Sequence, residues 1–204
     1  MDDILNDLNN YWNEFSDNDR DFSLTYFNDT SIFTYGTTPF ETFKEVINQI
    51  KTTPKRFVVL GSSIGWQCFF WNHLFPNIPT VGYEIHDVRF DYACFIAEKY
   101  NLNNITLYND DLLNIEIEDG DLIWQNNLCL LNEDGINICD DVDWKALTYY
   151  NDVKIVSYQM PLLEKHSFDK LVLIDSDGKL KGYNTTEIKL PVSWTKTQSF
   201  YITQ

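Results

Sequence analysis

The chain has 204 residues, enough for one ordinary domain, and its 44% hydrophobic and 16% aromatic content excludes wholesale disorder. A formal net charge of -16 at pH 7 and a pI of about 4.3 disfavour contact with nucleic-acid phosphates and suit either basic partners or plain solubility. The acids crowd residues 1–50 and 105–152, whereas 161–204 is close to balance.

Ile4, Leu5, Leu8, Tyr11, Trp12 and Phe15 recur at helical spacing over residues 1–15, and the SDNDRD stretch at 16–21 breaks the pattern as a turn or loop. Phe40, Phe43, Val46, Ile47 and Ile50 predict a second amphipathic helix, started near Thr38 and Pro39. Strands are then expected near 56–60, 80–84, 105–108, 121–125 and 153–157, and helices near 65–74, 87–100 and 141–150, with Asp87 as N-cap of the middle one. This alternation predicts an α/β fold with a mainly parallel, doubly wound sheet. The chain's end differs: Lys170–Ile174, the turn Asp175–Gly178 and Phe200–Thr203 predict an antiparallel closing hairpin at one edge.

Cys68, Cys94, Cys129 and Cys139 form no CxxC pair, and His73, His86 and His166 are scattered, so no metal site is expected and the thiols should be reduced and buried. The acidic N-terminus, MDDILND, carries no long apolar run. The expectation is a soluble intracellular protein, cytoplasmic or nuclear, with no signal peptide and no membrane span.

The segment RFVVLGSSIGW, Arg56–Trp66, joins a predicted strand to a Gly/Ser turn and a helix. Glu84 closes the second strand, where an acid commonly holds a ribose diol, so the pair points to an adenosine-bearing cofactor. The dinucleotide fingerprint GxGxxG fails, because its positions hold Gly61, Ser63 and Trp66, and no GK[ST] follows for a phosphate loop. Asp110 and Asp111 follow the third strand, and Asn126 and Asn127 follow the fourth, at the edge where open α/β sheets bind ligands. Asn and Asp are also ordinary turn residues, so either doublet alone reads first as a turn, and it is their joint placement at successive strand ends that points to a ligand.

Four segments together, YGTTPFETF (Tyr35–Phe43), IKTTPKRFVVLGSSIG (Ile50–Gly65), DLIWQNNL (Asp121–Leu128) and PVSWT (Pro191–Thr195), resemble the non-SET histone-lysine methyltransferases of the disruptor-of-telomeric-silencing family. The resemblance implies a Rossmann-like class I S-adenosylmethionine-dependent methyltransferase, with a mainly parallel seven-stranded sheet and an antiparallel C-terminal edge. It covers about residues 33–204 and leaves 1–32 as an N-terminal helical extension. It implies that Tyr35 lies over the methionine part of the cofactor and that Gly61, Ser62 and Gly65 cradle it. Glu84 would bind the ribose, Asp111 the adenine amino group, and Leu112 would lie beside the ring. Asn126 or Asn127 would stand near the transferring methyl. Trp194 with Phe200 or Tyr201 would line an aromatic channel for a lysine side chain, whose apolar walls favour the neutral amine. The sequence departs from the family at Val59, Ser63 and Thr37, which stand where it has Asp, Gly and Glu, and at Phe200, where Tyr is usual.

The implied activity is methyl transfer to a lysine of a basic protein, a histone among the candidates. Two other readings stay open: a small-molecule methyltransferase, and a catalytically silent module that binds a partner.

Overall fold

The computed structural model describes residues 1–11, 38–126, 139–158, 171–174, 180–192 and 195–204. Helix α1 covers 2–11. It is followed by α2 (Phe40–Ile47), β1 (Arg56–Leu60), α3 (Trp66–Leu74), β2 (Thr80–Glu84), α4 (Asp87–Lys99), β3 (Ile105–Asn109) and β4 (Asp121–Gln125). Then come α5 (Cys139–Tyr149), β5 (Lys154–Ser157), β6 (Leu171–Ile174), β7 (Leu180–Tyr183), β8 (Thr185–Leu190) and β9 (Gln198–Thr203).

Phe57 to Leu60 are wholly buried, and every residue of β2 and β4 is buried. Unbroken burial of this kind requires a strand covered on both faces, which is the condition of a parallel sheet flanked by helices. The seven-stranded sheet runs β3-β2-β1-β4-β5-β9-β8. It is parallel from β3 through β5, and β9 lies antiparallel between β5 and β8. Side chains alternate between two cores. Phe57, Val59, Leu122 and Trp124 join α1, α2, α3 and α4 on one face, whereas Val58, Leu60 and Ile123 join α5 on the other.

Helix α1 belongs to the first of these cores through Ile4, Leu8 and Tyr11. Asp7 fastens it to α4, accepting from Lys99 Nζ at 2.6 Å and the Tyr100 hydroxyl at 2.7 Å, which holds its carboxyl below the usual range. Residues 12–32 of the expected extension, the turn at 16–21 and the turn at 175–178 lie outside the described residues.

Two expectations are corrected. Asp87 is the first residue of α4 rather than its cap; His86 stands at the N-cap and its side chain makes no capping bond to the helix. The closing hairpin is built differently as well. β9 pairs with β8, while β6 pairs with β7 in a separate two-stranded sheet. The alternation in β8, TTEIKL, is diluted by charge because it is an edge strand, and edges carry charge against unwanted pairing. Among the described residues, no helix is long and apolar enough to cross a membrane.

At the N-terminal ends of β1 and β4, Arg56 grips the fully buried Asp121 with both arms, at 2.9 and 2.7 Å, and reaches Glu118 at 2.6 Å. Removing one partner of such a pair strands the other's charge. Arg56→Met should cost about 3–5 kcal/mol in urea unfolding. A loss under about 1 kcal/mol would show that the pair is a surface contact in effect.

Candidate functional site

Strand register sets the C-terminal strand ends in a row. Leu60 stands beside Tyr83 and Gln125, Glu84 beside Asn109, and Gln125 beside Ser157. The sheet order reverses between β1 and its neighbours here, so this edge is the switch point at which α/β sheets leave a crevice.

The loop leaving β1 turns through three left-handed residues, Gly61 (φ 68°), Ser63 (φ 52°) and Gly65 (φ 95°). A Cβ at Gly65 would lie 2.5 Å from the Phe69 ring, so both backbone angle and space demand glycine. Ser63 occupies the same region at some cost in strain. The Ser62 N–H donates to the Tyr83 carbonyl at 2.8 Å, and the Ser63 N–H to Glu84 Oε2 at 2.7 Å. Glu84 Oε1 accepts from the His86 N–H at 2.9 Å. One buried carboxylate thereby joins the β1 loop to the turn after β2.

The close approach of α3 to the sheet is made by Gly82. A Cβ there would stand 2.8 Å from Leu107, 2.9 Å from Cys68 Sγ and 3.0 Å from Ser62 Oγ. Trp66, where a dinucleotide loop has its third glycine, is buried with its ring edge-on to Phe70, centroids 6.0 Å apart.

Asn126 lies over the loop. Its Nδ2 donates to the Gly61 carbonyl at 2.7 Å, and its Oδ1 accepts from Trp124 Nε1 at 3.1 Å and Gln67 Nε2 at 3.5 Å. The buried Tyr158 phenol, its ring edge-on to Trp124 with centroids 6.1 Å apart, is bonded to the Thr38 hydroxyl. Burial pushes that phenol up to about 12. Two of the segments that carry the family resemblance meet nearby, where Thr42 donates to the Pro191 carbonyl at 2.7 Å.

Gly61, Ser62, Gly65, Glu84 and Asn126 thus converge on one edge. Asp111 caps a short turn, accepting from the Leu113 N–H at 2.9 Å. Leu112 is buried in the α5-side core, and the exposed aliphatic side chains at these strand ends are Ile85 and Leu113. Phe200 is wholly enclosed, with its ring 5.1 Å from Tyr158 and 6.0 Å from Trp124. Tyr201, the next residue, emerges on the other face with its hydroxyl 3.4 Å from Glu187. Adjacent strand residues cannot line one channel. Tyr35, Asn127 and Trp194 lie outside the described residues.

Sequence reasoning missed Gln67, Tyr158, Ile85 and Leu113, which belong to no spaced motif. It also missed Asp143. On the α5 side, Gln125 Nε2 donates to Asp143 Oδ1, and Asp143 Oδ2 has no partner among the described residues. Burial pushes the Asp143 carboxyl up to about 8, with Asp140 adding repulsion.

No protein-family model and no curated protein sequence matches the chain. Solved structures do. A methyltransferase from Pyrococcus furiosus superposes with a TM-score of 0.57 at 13% identity, over 91% of this chain and 93% of its own. A ribosomal protein L11 methylase from Lactobacillus delbrueckii gives 0.54 at 16%, over 82% and 80%. A precorrin-6y C5,15-methyltransferase from Geobacter metallireducens gives 0.52 at 11%, over 80% and 87%. The chain has the Rossmann-like methyltransferase fold.

Gly82→Ala has nowhere to place its methyl and should cost about 1–3 kcal/mol in urea unfolding; no change would mean that α3 does not press on β2. Asp143 predicts a pH dependence. Its folded pKa of about 8 lies above the ordinary 3.8, so the folded state holds the extra proton between those values. Its contribution therefore falls as pH rises through that window. Asp143→Asn cannot ionise and should gain stability over the wild type between about pH 5 and about pH 8. Parallel urea midpoints for the two proteins across that range would contradict it.

Proposed function

We propose that this chain is an S-adenosylmethionine-dependent methyltransferase whose acceptor is a lysine amine on a basic protein. The observation that carries the reading is the meeting of the Gly61–Gly65 loop, Glu84 and Asn126 at the switch point of a methyltransferase-type sheet. The residues present suit such a cofactor. Glu84 brings a carboxylate for a ribose diol to the end of β2, where the loop's close turn leaves its backbone near any ligand. Ile85 and Leu113 offer exposed aliphatic surface for an aromatic base, and Asp111 stands beside them. When bound, S-adenosylmethionine supplies a methyl group activated by its sulfonium. The chain's own task is to hold that group still and keep water from the crevice, since positioning supplies much of the acceleration in such transfers.

The acceptor class rests on charge and on the sequence resemblance. A net charge of -16 draws basic proteins and repels nucleic acid. One observation favours a second reading, a silent module that binds a partner. Val59, at the family's acidic position, is fully buried in the apolar core and offers the cofactor's ammonium no carboxylate.

Calorimetry with S-adenosylmethionine and S-adenosylhomocysteine, followed by radiolabelled transfer into histones and a lysate of basic proteins, separates the two. Binding with incorporation at lysine is expected. Glu84→Ala should weaken S-adenosylhomocysteine at least about tenfold through lost charged hydrogen bonds. Tight cofactor binding without incorporation sinks the lysine acceptor. Absence of both leaves the silent module.

A further inference from the structure

The seven-stranded sheet ends at β3 on one side and at β8 on the other. β8 is guarded as edge strands usually are, by Glu187 and Lys189, whose charged groups lie 3.5 Å apart. β3 has no such guard, for residues 103–109, NNITLYN, hold neither a charge nor a proline. The ladder fixes which backbone groups of β3 face away from β2. Thr80 stands beside Ile105, and its N–H donates to the Asn104 carbonyl at 2.8 Å. Successive residues of a paired strand turn their N–H and C=O groups to opposite sides, so Thr106 and Tyr108 bond back to β2. Leu107 and Asn109 therefore turn theirs outward, with the Ile105 carbonyl in the same row; the Ile105 N–H is taken by the Leu102 carbonyl at 3.2 Å. No strand pairs with that row among the described residues. Thr106 is exposed beside it, and Tyr108, stacked on Tyr83 and 45% exposed, leaves aromatic surface in water.

The elements that adjoin this edge are acidic on the outside. α4 packs on β3 and exposes Asp87, Asp91 and Glu98, whereas its Arg89 is buried and its Lys99 is bonded to Asp7. The chain leaving β3 exposes Asp110 and Glu116. A second copy would bring the same acids and its own charge of -16, which opposes self-pairing. A row of outward backbone donors and acceptors fits any extended chain, and the acids around it select one that carries Lys or Arg.

We propose that the outer edge of β3 docks an extended segment of a basic protein, which joins the sheet as a further strand. Backbone hydrogen bonds hold the segment, and the acidic surround chooses it. The edge works independently of any cofactor, because its backbone row needs no ligand in the crevice.

Fluorescence anisotropy on the intact chain tests this with two labelled peptides. One is a short run of alternating Thr and Val with two Lys at each end, and its twin has Glu at every Lys. The Lys peptide should bind saturably, and the Glu twin at least about tenfold more weakly. On binding, hydrogen exchange should slow at the Leu107 and Asn109 amides and stay unchanged at Thr106 and Tyr108, which already bond to β2. Leu107→Pro removes an outward N–H without breaking a bond to β2, and should weaken the Lys peptide about tenfold. Leu107 also packs against the α3-side core, so a second pair of variants spares the packing. Thr106→Lys should weaken the Lys peptide about two- to fivefold, and Thr106→Glu should strengthen it by a similar factor.

Equal affinity for the two peptides would overturn the proposal. So would Leu107 and Asn109 amides as protected as that of Tyr108 in the free chain, since the edge would then be occupied already. Binding that ignores both Leu107→Pro and the charge at position 106 contradicts docking at β3. Sedimentation equilibrium of the chain alone should give a monomer. A dimer that Leu107→Pro dissociates would put a second copy on this edge and overturn the basic partner.

Discussion

A carboxylate taken out of water must find donors, and Glu84 finds them in backbone N–H groups, those of Ser63 and His86. Backbone donors cannot swing away as side chains do. The carboxylate therefore sets the distance between the β1 loop and the turn after β2, and the rest of the edge is arranged around that distance. Gly82 lets α3 descend far enough for the loop to reach Glu84. The left-handed angles at Gly61, Ser63 and Gly65 turn the chain tightly enough to present the Ser63 N–H. Asn126 holds the loop's first carbonyl from the opposite side.

The end of β4 serves both faces of the sheet. Trp124 and Asn126 address the loop and the aromatic core beneath it, while Gln125 faces α5 and the buried Asp143. The two polar groups sit one residue apart yet in separate environments, because successive side chains leave a strand in opposite directions. On the loop side every member of the cluster is a neutral hydrogen-bonding group. On the α5 side a carboxyl is kept protonated by its burial. Strain and polarity are thus concentrated at the strand ends, whereas the opposite end of the sheet is closed by the charge-paired Arg56 and Asp121.

Most of the framework was legible in the sequence. The apolar runs of β1, β2 and β4 are buried on both faces, so their hydrophobicity is continuous and their limits stand out. The Gly61–Gly65 turn and the acid at Glu84 were legible for the same reason: backbone geometry and strand position dictate residue type there. β8 was hidden, since an edge strand half in water alternates weakly and carries charge. The pairing of β6 with β7 was hidden too, because β7, LKGY, is too short and mixed to read as a strand. Phe200 illustrates the limit at the site. An aromatic in a closing strand reads alike as channel or core, and burial against Trp124 and Tyr158 places it in the core. Gln67 and Tyr158 carry no spacing signal, because their bonds to Asn126 and Thr38, 59 and 120 positions away, exist only once the sheet has formed.

The claim at the centre of this account is that the β1, β2 and β4 ends form one adenosyl-cofactor crevice. Chemical-shift mapping of backbone amides during titration with S-adenosylhomocysteine tests it most directly. The account predicts saturable shifts concentrated at residues 61–65, 84–86, 110–113 and 126. No saturable shifts, or shifts gathered at the Arg56–Asp121 end of the sheet, would contradict it.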